Sequence, residues 1–320
     1  MRFLQVVAFL AVGACAGQAA AQAYPARPLR IVVGFPPGGT SDILARTIAA
    51  RLAEPLGQSV VVENRTGAGG NIGAESVARA APDGYTLLMG TTSQAISQSL
   101  YKKLNYDLLK DFAPITQAVN YSNLLVVHPS AGVSNVAELL ALARAKPGVL
   151  NYGTAGNGTP PHMTGELFKS TTGVDILHVP YKGGAPAIVD LVAGQIPMMF
   201  DNVPPLLPHV RSGRIKALAN TSLARLAVLP EVPTLNESGL KGFDAVGWNG
   251  LLAPAGTPRE IVARLHAEVA RILRAADVRE QLTTQGADIV GNSPDEFSAW
   301  IRNEITKWAG VVRTSGAKLD

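Results

Sequence analysis

Beyond residue 23 the chain alternates short runs of β-branched and other apolar residues with stretches whose apolar positions recur at helical spacing. Residues 29–33, 60–63 and 86–89 read as strands, with helices at 41–54 and 70–80. A strand at 124–128 and a helix at 136–145 follow. The alternation then runs strand 150–152, helix 163–171, strand 176–179, helix 185–193, strand 198–200, helix 205–211 and strand 215–219. Such alternation predicts α/β layers with mostly parallel sheets. The length is generous for one sheet, so two lobes are expected.

The last part of the chain reads as helical. Thr257-Pro258-Arg259-Glu260 offers a hydroxyl N-cap, proline at the first helical position and glutamate at the third. Ile261, Leu265, Val269, Ile272 and Leu273 then recur at helical spacing. Ser293-Pro294-Asp295-Glu296 repeats the start signal, followed by Phe297, Trp300, Ile301, Ile305 and Trp308. These aromatics are expected to pack helix on sheet. No internal repeat or low-complexity linker is evident in the sequence.

Two glycine-rich turns stand more than a hundred residues apart, each after an apolar run and before a helix. The first is Phe35-Pro36-Pro37-Gly38-Gly39-Thr40-Ser41-Asp42, the second Thr154-Ala155-Gly156-Asn157-Gly158-Thr159-Pro160-Pro161-His162. Each reads as strand, turn, hydroxyl N-cap, helix. Backbone N–H groups at a helix start point outward, and the helix dipole favours negative charge there. Two such turns predict a grip on one anion from two sides, and a carboxylate-binding protein rather than a catalyst. Ligands of open α/β sheets lie at the carboxyl ends of strands. Thr91-Thr92-Ser93 and Asp201-Asn202 also sit at such ends, so facing lobes would bring four segments to one cleft.

The N-terminus has the form of a secretory leader. Arg2 is followed by an apolar stretch over residues 3–14, and Ala21-Gln22-Ala23 forms a small-x-small cleavage site before Tyr24. That stretch is shorter than the roughly 20 residues a spanning helix needs. Val12-Gly13-Ala14-Cys15 loosely resembles a lipoprotein box, which would tether the protein through Cys15. Cleavage after Ala23, with Cys15 discarded, is the expectation. Cys15 is the sole cysteine, so a chain starting at Tyr24 has no disulfide, thiolate nucleophile or thiolate metal ligand. An exported, cysteine-free chain of this kind suits the bacterial periplasm. It must rely on its core, and a chain of about 300 residues buries about three quarters of its unfolded surface. Without Arg2 the balance is 27 basic to 24 acidic residues, a net +3. The charges are scattered: no basic run is longer than Lys102-Lys103, and residues 259–279 mix Arg264, Arg271 and Arg274 with Glu260, Glu268 and Asp277. This is a solvated helix face, and no nucleic-acid partner is expected.

Other motifs have plainer readings. Gly67-Ala68-Gly69-Gly70-Asn71-Ile72-Gly73 fails the dinucleotide fingerprint, because its third glycine position holds Ile72. No P-loop lysine motif is present. His128, His162, His178, His209 and His266 show no zinc spacing, and neither a metal nor a cofactor is expected. His162, beside the second turn, either donates to a ligand or caps the loop. Ser41, Ser93, His162 and Asp201 form the one conceivable hydrolase set, but no Gly-x-Ser-x-Gly elbow accompanies them, and no catalytic residue is assigned. Asp201 would cap the next helix or accept from a ligand ammonium or hydroxyl, and would repel a second carboxylate unless protonated or paired. Lys182, in the turn Tyr181-Lys182-Gly183-Gly184, either steers anions or is an ordinary loop lysine.

Several segments, taken in order, resemble a known family. They are Tyr24-Pro25-Ala26-Arg27-Pro28, Phe35-Pro36-Pro37-Gly38-Gly39, Val62-Glu63-Asn64-Arg65 and Pro82-Asp83-Gly84-Tyr85. Further along come Tyr152-Gly153-Thr154-Ala155-Gly156-Asn157-Gly158-Thr159, Val179-Pro180-Tyr181-Lys182-Gly183 and Leu252-Ala253-Pro254-Ala255-Gly256-Thr257-Pro258. The chain resembles the extracytoplasmic solute receptors of tripartite tricarboxylate transporters, the Bug-type receptors, over its whole mature length. The resemblance implies a two-lobed, type II periplasmic-binding-protein-like fold. Lobe 1 would comprise residues 24–125 plus 247–320 and lobe 2 residues 126–246, with residues 1–23 as signal peptide and strands near 124–127 and 246–251 crossing between lobes. It implies capture of a small carboxylate by backbone amides and waters, and delivery to a membrane permease by a monomer that closes on its ligand. On the matched turns it assigns Phe35, Gly38, Gly39, Thr40, Ser41 and Asp42, and Thr154, Ala155, Gly156, Gly158 and Thr159. Thr92, Ser93, His162 and Asp201 complete the candidate set. A periplasmic enzyme acting on a carboxylate, or the sensing partner of a signalling protein, are the alternatives.

Overall fold

A computed structural model describes residues 24–319; residues 1–23, with the expected leader and Cys15, lie outside the described residues. In chain order the first elements are β1 (Leu29–Val33), α1 (Thr40–Leu56), β2 (Val60–Asn64), α2 (Asn71–Ala78), β3 (Thr86–Thr91), α3 (Thr92–Leu100) and β4 (Phe112–Val127). Next come α4 (Val136–Ala145), β5 (Asn151–Thr154), α5 (Pro160–Thr172), β6 (Leu177–Pro180), α6 (Gly184–Val192), β7 (Met198–Asn202), α7 (Val203–Arg211) and β8 (Lys216–Asn220). The chain ends with β9 (Val246–Pro254), α8 (Arg259–Arg274), α9 (Ala276–Thr283), β10 (Ala287–Ile289) and α10 (Pro294–Ser315).

The strands form two half-sheets of one topology. In the first, β2, β1 and β3 run parallel, β9 lies antiparallel beside β3, and β4 lies antiparallel beside β9. In the second, β6, β5 and β7 run parallel, β4 lies antiparallel beside β7, and β8 lies antiparallel beside β4. Strand β4 serves both. Its residues up to Ser122 pair with β9, and from Asn123 onward it pairs with β7 and β8. The return path is close by: Ala245 N–H donates to Thr221 O in the second half, and Val246 pairs with Ser122 in the first. The repeat is one of topology, which is why no sequence repeat announces it. It also makes the two glycine turns equivalent, since one follows β1 and the other β5.

Parallel strands covered on both faces must be apolar throughout, and β1 and β3 are accordingly almost wholly buried. Leu44, Ile48 and Leu52 of α1 pack with Leu265, Val269 and Leu273 of α8 on one face of the first half-sheet. The other face shares a core with the second half-sheet, where Ile301, Trp308 and Val312 of α10 join Phe168, Met163 and Phe200. A third cluster, with Leu191 of α6 and Leu206 of α7, covers the far face of the second half-sheet.

The structure departs from the sequence reading in several elements. Helix α3 was not expected, because Thr92-Ser93-Gln94 and Ser97 look like surface, yet they are buried. The strand expected at 124–128 is the last quarter of β4, which ends at Val127 and whose earlier part carries the buried polar residues Thr116, Gln117, Ser122 and Asn123. Thr257 does not cap α8: its hydroxyl donates to Pro254 O at 2.7 Å and the helix starts at Arg259. Ser293 does cap α10, accepting from Glu296 N–H while Glu296 accepts from Ser293 N–H.

Candidate functional site

In lobe 1 two helices begin at the same place. Helix α1 opens after the first glycine turn, with Gly39 as its backbone N-cap, and Thr40 and Ser41 sit in its first turn. The hydroxyl cap expected from these residues is not made; Ser41 Oγ instead accepts from Asn249 Nδ2 on β9 at 2.8 Å. Gly38 requires glycine, with φ at +84°. Its N–H donates to Asp42 Oδ2 at 2.9 Å, and Asn64 Nδ2 donates to both Asp42 Oδ1 and Phe35 O. Burial pushes the Asp42 carboxyl up, but the bonds from Arg46, Gly38 and Asn64 outweigh it and hold the group below its ordinary range. Asp42 therefore ties the turn together. Helix α3 opens directly after β3: Thr91 and Gln94 form its capping box, and Ser93 N–H donates to Thr91 Oγ1 at 3.1 Å. Thr92 faces away, its Oγ1 accepting from Trp248 N–H at 2.8 Å.

The second turn is built differently. Thr159 caps α5 as expected, but Pro160 and Pro161 follow, and proline has no N–H. Gly156 N–H donates to Thr154 Oγ1, and Gly158 N–H to His162 Nδ1, both at 3.2 Å. The expected free amides are thus largely absent from this turn. Its Ala155 and Thr159 face the cleft, whereas Thr154, Gly158 and His162 support it from beneath. His162 is a loop cap; it stacks on His178 with ring centroids 4.2 Å apart, and His178 Nε2 lies 2.6 Å from Thr154 Oγ1. Burial pushes His162 down to about 4, and burial reinforced by His162 pushes His178 down to about 3. Both rings are neutral at pH 7.

The two lobes enclose a cleft. From lobe 1 it is lined by Phe35, Gly39, Thr40, Ser41, Thr91 and Ser93, with Tyr121, Trp248 and Asn249 from the strands that join the lobes. From lobe 2 come Ala155, Thr159, Gly183, Gly184, Ala185 and Asp201. No lysine, arginine or histidine is among the lining residues. Ser93 Oγ and Asp201 Oδ2, from opposite lobes, are buried without a hydrogen-bond partner. The lobes touch at the rim. A Cβ on Gly183 would fall 2.9 Å from Pro36 Cγ, and one on Gly69 2.7 Å from Asn157 O. Gly156 lines a neighbouring groove with Asn157 and Lys182, and Gly38 lies at the opposite flank beside α6.

Helix starts thus aim into a cleft between two lobes of one topology joined by strand β4. Residues 44–317 match the sequence model of the tripartite tricarboxylate transporter family receptor. The chain belongs to this family. It is 40% identical to Protein BugT of Bordetella pertussis over 321 residues, 99% of this chain and 98% of BugT. A Rhodopseudomonas palustris protein solved with adipate is 41% identical and superposes with a TM-score of 0.90, over 92% of this chain and 100% of that one. MatC from the same organism, with bound malate, is 37% identical with a TM-score of 0.87, over 90% of this chain and 100% of that one. The family is a solute-receptor family, and its fold is the two-lobed periplasmic-binding-protein type seen here.

Sequence reasoning missed part of this receptor's cleft. Gly183, Gly184 and Ala185 start α6 at its wall, and Tyr121, Trp248 and Asn249 form its floor. The signal for the first group was Gly183-Gly184 after a strand. The second group had none, because the joining strands carry no turn motif.

Proposed function

We propose that this chain is a periplasmic receptor that captures a small carboxylate between its lobes and delivers it to a tripartite tricarboxylate transporter permease. The lobes would be residues 24–122 with 246–320 and residues 123–245, since β4 changes partner after Ser122 and Val246 pairs with Ser122. The observation that carries the reading is the convergence of the α1 and α3 N-termini on a cleft without a cationic side chain. The first amides of a helix have no intrahelical partner and the dipole favours an anion beside them. Ser93 Oγ, unpartnered, adds a hydroxyl donor. One carboxylate between these helix starts meets amides and hydroxyls, and its charge is balanced by two dipoles. The overall similarity to relatives solved with adipate and with malate supports the choice of a carboxylate. The lobes meet where Gly183 approaches Pro36 and Gly69 approaches Asn157, and a ligand bridging the lobes would stabilise such a closed arrangement for a permease to read.

The test is a thermal-shift screen of ligand-free protein, residues 24–320, against carboxylates and their amide analogues. At 100 times its dissociation constant a ligand adds about 2.7 kcal/mol, a shift of several degrees. A hit lost in the amide of the gripped carboxylate, and recovered unchanged after incubation, fits a receptor. Turnover of the hit would point to an enzyme instead.

A further inference from the structure

Asp201 stands where the other end of the ligand must lie. It closes β7 at the wall opposite α1 and α3, and is 3% exposed. Its Oδ1 accepts from Asn202 N–H at 2.8 Å, whereas Oδ2 has no partner. Gly184 leaves room for this oxygen: a Cβ there would fall 2.3 Å from Oδ2. A buried polar oxygen without a partner costs stability, and more so if charged. The surrounding elements give it no partner: on α5, Glu166 is taken by Tyr152 Oη and Lys169 Nζ, and His162 accepts from Gly158 N–H. On α6, Asp190 is taken by Tyr181 Oη, and on α7, His209 and Arg211 lie in the last turn. Neighbouring β4 contributes the apolar Leu124 opposite Asp201. Tyr121 is the other titratable side chain lining the cleft, and burial raises its pKa, keeping it neutral.

Resting on the carboxylate reading above, we propose that Asp201 is a specificity-determining residue that requires a hydrogen on the far end of the ligand. The class is a small carboxylate bearing an N–H or O–H donor at that end. Two ionised carboxylates and Asp201 would share a cleft that has no cation. A plain dicarboxylate therefore enters only with a proton taken from solution and shared with Oδ2. A donor-bearing ligand needs none and pairs directly with the aspartate. Burial, opposed only by the Asn202 amide, raises Asp201 to about 7, so the two ligand types separate above neutrality.

The experiment is calorimetric titration of wild-type and Asp201→Asn protein, each checked for cooperative melting. The ligands are succinate, glutarate and adipate, each paired with its monoamide, from pH 6 to 8.5. The wild type is expected to bind a monoamide about tenfold more tightly than the matched diacid at pH 8, with the gap closing towards pH 6. Diacid binding weakens about tenfold per pH unit above 7 and takes up one proton. In Asp201→Asn the gap collapses, because the amide donates to an ionised carboxylate without a proton. Equal binding of diacid and monoamide at pH 8, or a gap that survives the substitution, overturns the inference while leaving the receptor reading intact. Failure of every monoamide overturns it as well, and failure of all carboxylates overturns the receptor reading with it.

Discussion

Single residues in lobe 2 set opposing pH limits on this protein. Asp201 has a raised pKa, so the folded chain holds its proton to higher pH than the unfolded chain does. Its contribution is intact below about pH 4 and is lost as pH rises through about 7. His162 and His178 are depressed by burial, to about 4 and about 3, so their contribution is intact above about 6.5 and is lost as pH falls. Protonation there would also remove the acceptor for Gly158 N–H and set two cations face to face. Replacing Asp201 by asparagine is therefore expected to raise the melting temperature at pH 8, with a gain that shrinks towards pH 5. The alkaline gain is on the order of a few kcal/mol. Melting curves across that range measure it, and a gain independent of pH would contradict the assignment.

At the scale of elements, the helix starts carry both fold and site, and their caps divide the labour. The box at Ser293 and Glu296 lies on α10, outside the cleft lining. Ser293→Ala is expected to cost about 1 kcal/mol of stability and leave ligand affinity unchanged, as chemical denaturation and titration together will show. Much of this architecture was legible in advance. The strands and helices of β1 to β3 and β5 to β8 announce themselves by apolar period and glycine punctuation, and the first turn by Gly38-Gly39. What stayed hidden has a common physical cause. Helix α3 and the first part of β4 are buried although polar, because their side chains find local partners: Gln94 Oε1 accepts from Thr91 N–H, Gln117 Nε2 donates to Asn120 Oδ1 and Asn123 Nδ2 donates to Thr164 Oγ1. Buried polar networks defeat a reading based on hydrophobic period. Thr92, Asp42 and His162 illustrate the converse. Their position beside the turns was plain in the sequence, but only the fold reveals that their polar atoms face the protein and hold the cleft wall in place.

Across the whole molecule, two copies of one topology face each other and share strand β4, which brings the ends of β1, β3, β5 and β7 to the cleft between them. Helix α10 packs against α3 of lobe 1 and α5 of lobe 2, so it ties the two lobes together on the side away from the cleft lining. Gly39 offers the most direct access to the resulting claim that the ligand lies between the lobes. Its φ of −81° suits any residue, and a Cβ there would meet only Pro36 O, at 3.7 Å. A leucine at this position projects into the cleft while α1 forms normally, apart from about 1 kcal/mol for the poorer cap. The deciding measurement is calorimetric titration of the carboxylate found in the screen into wild-type and Gly39→Leu protein. The account predicts one ligand bound per wild-type chain and none by the variant, with both melting cooperatively. Equal affinity in the two proteins would contradict it and move the ligand out of this cleft.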